Sequence, residues 1–340
     1  MTRAAMAAAA LALGCGALVG PDAASDNTAI FESVWQEVDR HYALFAIKPI
    51  SWDSLHDVYA PQAAQASGAP ALAQTIGALL AELRDVHVDL FTPGAQYRYT
   101  GYDARPVFFD PALVLAQYVT DRRLAPRLRL HYGHLAPDVG YVWIPSFSGS
   151  AGPADYGGDI DAALAALPGV NALVVDVRSN GGGSSNNDQE VASRFADQTR
   201  TYGFVQWRNG PRHDDLTPPI ALTLSPRGPH FPGPVVVLVN RRSFSATEDF
   251  VVAMSELPTV TIVGDSTGGA VGNPIIRELP NGWTYRFPQW RMVTATRLDF
   301  EERGFAPEVF VRGSSAELAA GRDAMLDSAL AVVRRAAGAR

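Results

Sequence analysis

Cysteine and lysine are almost missing from this chain: of 340 residues, only Cys15 is a cysteine and only Lys48 is a lysine. A single cysteine cannot form an internal disulfide, so the mature body has none. With arginine supplying nearly all the positive charge, catalysis has one lysine to draw on and no second. Codon bias is the plain cause of that skew. No long Lys/Arg run is present and the formal charge is −7, which argues against the clustered basic face that nucleic acid requires. The same absence argues against a polybasic membrane patch.

What is present suits a globular enzyme-sized body. The 47% hydrophobic and 19% charged fractions are ordinary for a soluble protein, and the length allows one large domain or two moderate ones. Residues 1–24 have the pattern of an export leader. Thr2-Arg3 is followed by the small-and-apolar run Ala4 to Gly20, which is short for a membrane span and has no stop signal. Pro21-Asp22 and Ala23-Ala24 then provide a turn and a cleavage context. Cys15, behind Ala12-Leu13-Gly14, sits either in a site similar to a bacterial lipoprotein cleavage site, with lipid anchoring, or in the run by chance. The expected location is the bacterial periplasm or cell envelope.

Residues 27–91 are predicted to form a helical module, from the three- and four-residue spacing of Phe31, Val34, Trp35 and Val38 and of Ile76, Leu79, Leu80 and Leu83. Ser51 or Asp53 is a candidate cap of the middle helix. Residues 92–137 are predicted to be a connecting β segment, with strands at Pro106–Phe109 and Arg127–His131. From 138 to 312 the pattern alternates strand and helix, with near-continuous apolar runs at Ala172–Val177, Pro234–Val239 and Thr259–Val263. Such runs suit strands buried on both faces of an α/β sheet. Thr199–Gly233, rich in Pro, Gly and Arg, is expected to be an extended flap, and 313–340 a C-terminal helix.

Chemistry concentrates where the buried strands end. Ser243-Phe244-Ser245-Ala246-Thr247-Glu248 follows one strand and opens a helix, where free backbone N–H groups and the helix dipole favour developing negative charge. Ser245-x-x-Glu248 is equally a capping box. Asp176-Val177-Arg178-Ser179-Asn180-Gly181-Gly182-Gly183 follows another strand; its glycines let backbone N–H groups approach a ligand. It lacks the P-loop lysine and the dinucleotide spacing, and a plain turn is the bland alternative. A hydroxyl nucleophile needs a base, and His87, His131, His134, His213 and Lys48 are all candidates. Glu301-Glu302-Arg303-Gly304 is a candidate for the acid that orients the base, or a solvated charged turn.

These motifs, with Gly264-Asp265-Ser266-Thr267-Gly268-Gly269 and Glu301-x-x-Gly304-x-x-Pro307-Glu308, occur in the order found in the tail-specific (C-terminal processing) serine protease family. The chain resembles that family from about Phe31 to Val311. The tricorn core protease and the interphotoreceptor retinoid-binding protein also belong to it. The resemblance implies a Clp-protease/crotonase-like α/β core. It implies Ser245 as nucleophile, His87 as base, Glu301 (or its neighbour Glu302) as acid, and an oxyanion hole from the glycine turn, best Gly182, with the N–H of Ala246. Two departures set the subtype. Ala270 stands where the processing proteases carry a lysine base, which favours the tricorn-like Ser-His-Glu arrangement. The 92–137 interval is also too short for the peptide-binding PDZ domain of those proteases together with its connecting strands.

The expected activity is hydrolysis of peptides or unfolded proteins through an acyl-enzyme, without metal or organic cofactor. The alternative on the same scaffold is a non-proteolytic binding protein for an apolar ligand. An acyl-CoA enzyme of the crotonase type rests on fold analogy alone.

Overall fold

The computed structural model of the chain describes residues 25–338 apart from 126, 128, 129, 150 and 151. The leader and Cys15 lie outside the described residues. Three helices open the chain, α1 (Asn27–His41), α2 (Trp52–Ala64) and α3 (Ala69–Ala81). Asp26 caps α1, its carboxylate accepting the N–H groups of Thr28 and Ala29. Ser51 precedes α2 but makes no cap bond through its side chain; its hydroxyl pairs with that of Ser54 at 2.7 Å.

The helices do not bury their apolar faces on one another alone. Phe31, Val34, Ile76 and Leu80 share a core with Leu279, Trp283, Tyr285 and Phe287, some two hundred residues away in sequence. The link is a four-stranded sheet of β1 (Asp89–Thr92), β2 (Ala95–Arg98) and two later strands. After β2 come α4 (Pro111–Gln117), β3 (Thr120–Leu124), β4 (His131–Ala136) and β5 (Val139–Trp143). Pro106–Phe109 is not a strand. Its apolar pattern serves packing instead: Phe109 lies under the Arg178 guanidinium, 4.2 Å from the ring centroid. Of the expected 127–131 strand, His131 begins β4, and residues 128 and 129 lie outside the described set.

Then follow α5 (Pro153–Ala165), β6 (Ala172–Asp176), α6 (Ser185–Ala192), β7 (Arg200–Trp207), β8 (Ile220–Leu224), β9 (Val235–Val239), α7 (Ala246–Ser255) and β10 (Val260–Gly264). The chain ends with β11 (Pro274–Glu278), β12 (Thr284–Pro288), β13 (Trp290–Thr294), β14 (Val309–Phe310), α8 (Ser315–Ala319) and α9 (Ala324–Gly338). A seven-stranded sheet in the order β14-β10-β9-β6-β5-β4-β3 forms the centre, parallel from β14 to β5 and antiparallel at β4 and β3. Its central strands β5, β6 and β9 are almost wholly apolar and buried because both faces are covered, whereas the edge strand β3 is polar and exposed. Leu173 and Val175 of β6 point into a core with Ile160, Val191 and Phe250, while Ala172 and Val174 point to Leu326, Ala329 and Val333 of α9. The other two sheets are β11-β12-β1-β2 and β13-β7-β8. The 199–233 segment is thus no simple flap: β7 and β8 pair antiparallel, and β13 holds them against the body. Among the described residues no helix is long and apolar enough to cross a membrane.

The end of β6 is anchored by a buried cation. Arg178 is fully buried, with Nη2 2.6 Å from Asp176 and Nη1 2.8 Å from Asp323 ahead of α9. Tyr141 donates to the same Asp176 carboxylate at 2.9 Å. A buried guanidinium is tolerated only while its partners remain. Asp323→Ala should therefore lower unfolding free energy by about 3–5 kcal/mol, read as a lower urea midpoint at unchanged slope; an unchanged midpoint would show the clamp to be dispensable.

Candidate active site

The carboxyl ends of neighbouring parallel strands β6 and β9 carry the two turns singled out in the sequence, the usual place for a ligand in such sheets. Short polar side chains and one backbone bond rivet these turns together. Ser243 Oγ donates to Val177 O at 2.7 Å, Asn240 Oδ1 accepts the Ser179 N–H at 2.9 Å, and Phe244 N–H reaches Asn180 O at 3.2 Å. Asn180, buried, donates to Ile144 O and accepts from the Gly182 N–H at 2.9 Å.

Ser245 stands at the start of α7 with φ 60° and ψ −130°, backbone angles that favour glycine. Its side chain makes no cap bond. The capping box is therefore not formed, and Glu248 turns elsewhere: its buried carboxylate accepts from Thr267 Oγ1 at 2.5 Å and from the N–H groups of Gly269 and Ala270 at 2.7 and 2.8 Å. This pins the 267–270 loop, whose Ala270 carbonyl accepts the Ser245 N–H at 3.0 Å. Burial raises the Glu248 pKa, opposed by these hydrogen bonds.

Gly182 lies against the serine. A Cβ there would come within 2.8 Å of Ser245 Cβ and 2.9 Å of Ala246 N, at a φ of +88°. The close approach thus requires glycine. Its N–H, however, is committed to Asn180. The amide of Gly183 makes no hydrogen bond among the described residues, nor does that of Ala246, the first residue of its helix. Gly183, Ser245 and Ala246 line one cavity of ≈ 270 Å³ together with Val271, Pro274, Trp290 and Met292. Gly182 therefore supplies proximity, and Gly183 is the glycine that lines the serine's cavity with an amide unpaired among the described residues.

Two buried acids on α6 and α7 were not revealed by the sequence pattern. Asp249, one turn along α7, lines the cavity, and burial pushes its carboxyl up to about 6 against hydrogen bonds from Tyr202, Gln189 and Ser185. Asp188 on α6 is fully buried with neither oxygen partnered among the described residues. Burial first, then the nearby Asp249, raises it well above the usual carboxylate range. Nothing but their spacing on α6 and α7 could have hinted at the pair.

His87 lies in the turn after α3, only 4% exposed. The Asp85 carboxylate holds that turn by accepting the His87 N–H at 2.8 Å. The imidazole lies 6.0 Å, centroid to centroid, from the ring of Phe244, the residue before Ser245. Its Nδ1 is buried without a partner among the described residues. Burial lowers its pKa, partly offset by Asp85 and Asp89 and reinforced by Arg286 and Lys48, so the ring is neutral at neutral pH.

Glu301 is buried, and its Oε2 accepts the Val271 N–H at 3.1 Å. Ser245 and Glu301 therefore attach to adjacent residues of one loop, through Ala270 O and Val271 N. Burial and then Asp85 push the Glu301 carboxyl well above its usual range, against the pull of Lys48. Glu302 is instead half-exposed, its Oε1 3.2 Å from Lys48 Nζ. Among the described residues no hydrogen bond joins Ser245, His87 and Glu301 to one another. The other histidine candidates lie elsewhere: His213 pairs with Asp39 at 2.7 Å, and His131 and His134 lie on β4.

Comparison with known proteins extends these observations. The model of Peptidase family S41 matches residues 138–311, which hold both turns, the 267–271 loop and Glu301. A crystal structure of a peptidase candidate from Parabacteroides merdae ATCC 43184 is 33% identical, with a TM-score of 0.81, and the match covers 92% of this chain and 96% of that one. The tricorn protease shares the fold at 14% identity and a TM-score of 0.60, over 92% of this chain and 37% of its own. The carboxy-terminal processing protease CtpA of Bacillus subtilis (strain 168) is 24% identical over 174 residues, 51% of this chain and 34% of CtpA. The match spans about a third of the length of the curated relatives.

Proposed function

The chain belongs to peptidase family S41, and we propose that it is an exported serine peptidase that cleaves peptides or unfolded proteins with Ser245 as nucleophile. The observation that carries this reading is the uncapped serine in a glycine-like backbone conformation, sharing a cavity with two amides that have no partner among the described residues. A hydroxyl held on a sharp strand-to-helix turn projects into the space where a carbonyl must sit.

His87, kept neutral by burial, takes the Ser245 proton as the hydroxyl attacks the carbonyl carbon. The resulting imidazolium is stabilised by Glu301 in its ionised form, which the neighbouring Lys48 favours against burial and Asp85. Negative charge forming on the substrate oxygen is met by the N–H groups of Gly183 and Ala246, each such donor contributing about 10²–10³ in rate. The imidazolium then protonates the leaving amine, and water activated by His87 releases the acyl group. The contacts missing from the resting arrangement are those that tighten around bound substrate. The walls formed by Val271, Pro274, Trp290 and Met292 suit an apolar side chain beside the scissile bond. Export rests on the 1–24 leader, and membrane attachment on lipidation of Cys15.

A serine-directed fluorophosphonate tests the reading directly. A covalent adduct mapped to Ser245 by peptide mass spectrometry, together with hydrolysis of an unstructured peptide, is the expected result. Absence of both, with retention of a fluorescent apolar ligand, would replace the peptidase with a binding protein on this scaffold.

A further inference from the structure

The only lysine of the chain is also one of its few buried cations. Lys48 follows the short turn after α1, its backbone N–H on Leu44 O at 3.0 Å, and it is 6% exposed. Its Nζ donates to Leu83 O at 2.9 Å and lies 3.2 Å from Glu302 Oε1 and 4.0 Å from Asp85 Oδ2. These partners lie on two segments distant in sequence. Leu83 and Asp85 belong to the turn that presents His87, and Asp85 itself holds the His87 N–H. Glu302 is the neighbour of Glu301.

We infer that Lys48 is a positioning residue of the active site: its ammonium joins the His87 turn to the Glu301 turn and balances the carboxylates gathered between them. This rests on the Ser245–His87–Glu301 reading given above.

The charge distribution explains why a cation is needed. Asp85, Glu301 and Glu302 converge on Lys48, and the buried Tyr42 hydroxyl donates to Asp85 at 2.8 Å. Glu301 also faces Glu248. His87 faces Asp85, Asp89, Arg286 and Lys48. A lone cation among three acids does not neutralise them, but it opposes the uptake of a proton by the buried Glu301. A protonated Glu301 could not stabilise an imidazolium. Burial alone would lower the lysine's own pKa, yet Asp85, Glu301 and Glu302 outweigh it and raise it, so the charge is permanent at working pH. Burying an ammonium is costly, and a methionine would fill the same stem volume. Packing alone therefore does not account for a lysine here. The ammonium lies beside a second cavity, lined by Ile47, Glu301, Glu302 and Arg291, separate from that of Ser245.

The test compares the full-length enzyme with Lys48→Met, Lys48→Gln and Lys48→Arg. Fluorophosphonate labelling of Ser245, peptide hydrolysis from pH 4.5 to 9 and thermal melting are measured on each. In Lys48→Met, kcat should fall about 10- to 100-fold with KM within about twofold. The acid limb of kcat/KM should move upward by about half a pH unit or more, as Glu301 and His87 both lose a neighbouring cation. Lys48→Arg, which keeps the charge, should restore the acid limb. Lys48→Gln, which keeps a donor for Leu83 O without the charge, should behave as Lys48→Met and supplies the reading if Lys48→Met does not fold. A neutral variant that melts earlier but retains the wild-type kcat and acid limb would overturn the inference in favour of a structural lysine. Wild-type enzyme without labelling at Ser245 would overturn the triad and this inference together, whereas normal labelling with wild-type kinetics in the neutral variants overturns the inference alone.

Discussion

Replacing Ser245 by alanine should reduce kcat/KM on an unstructured peptide by about 10⁴–10⁶-fold, and replacing it by glycine should abolish activity equally while making the protein more stable. The two variants separate chemistry from backbone strain. Both remove the hydroxyl. Only glycine adopts φ 60°, ψ −130° without cost, and a strained residue of this kind carries about 1–3 kcal/mol. Because Ser245 Oγ caps nothing, its loss forfeits no helix hydrogen bond, so Ser245→Ala should unfold close to wild type. If the serine were a cap, alanine would instead cost about 1 kcal/mol and leave hydrolysis intact. Urea unfolding and initial rates on the same preparations decide between these outcomes. Wild-type turnover in either variant would remove Ser245 from the mechanism.

His87→Ala should lower kcat/KM by about 10⁴-fold or more, with the pH profile giving the more specific result. The wild-type rate should rise with pH to a plateau, because the base acts in its neutral form. Burial shifts His87 below its ordinary 6.5, which on its own would place the acid limb below that value. Glu301 works in the other direction: its buried carboxyl, next to Asp85, resists ionisation, so its protonation pulls the observed limb upward. The limb belongs to the pair. Glu301→Gln should thus leave a weaker enzyme whose acid limb lies at lower pH than wild type. A limb that does not move would exclude Glu301 from the set of groups that titrate with activity.

Much of the architecture was readable from local pattern. The apolar runs of β6, β9 and β10 were identifiable because strands covered on both faces need no polar residue. The α1 and α3 faces followed from helical spacing. Pro106–Phe109 misled because apolar residues that pack under a guanidinium look, in sequence, like residues that pair in a sheet. The 199–233 segment misled because β7 and β8 are held by β13, some ninety residues downstream of β7, and no local signal encodes that pairing.

The sequence by itself determined that a serine and a glycine turn end buried strands, that a histidine closes the helical region, and that the only lysine sits far from all of them in the chain. Those facts are local, set by residue type and spacing. Only the tertiary structure decided that Ser245 caps nothing, that the amide of Gly182 is taken by Asn180 while that of Gly183 is unpaired among the described residues, and that Lys48 lies between the His87 and Glu301 turns. Each depends on where backbone donors and charges from distant segments meet, and burial gives that meeting its energetic weight. A hydrogen bond or a cation counts most where water cannot replace it.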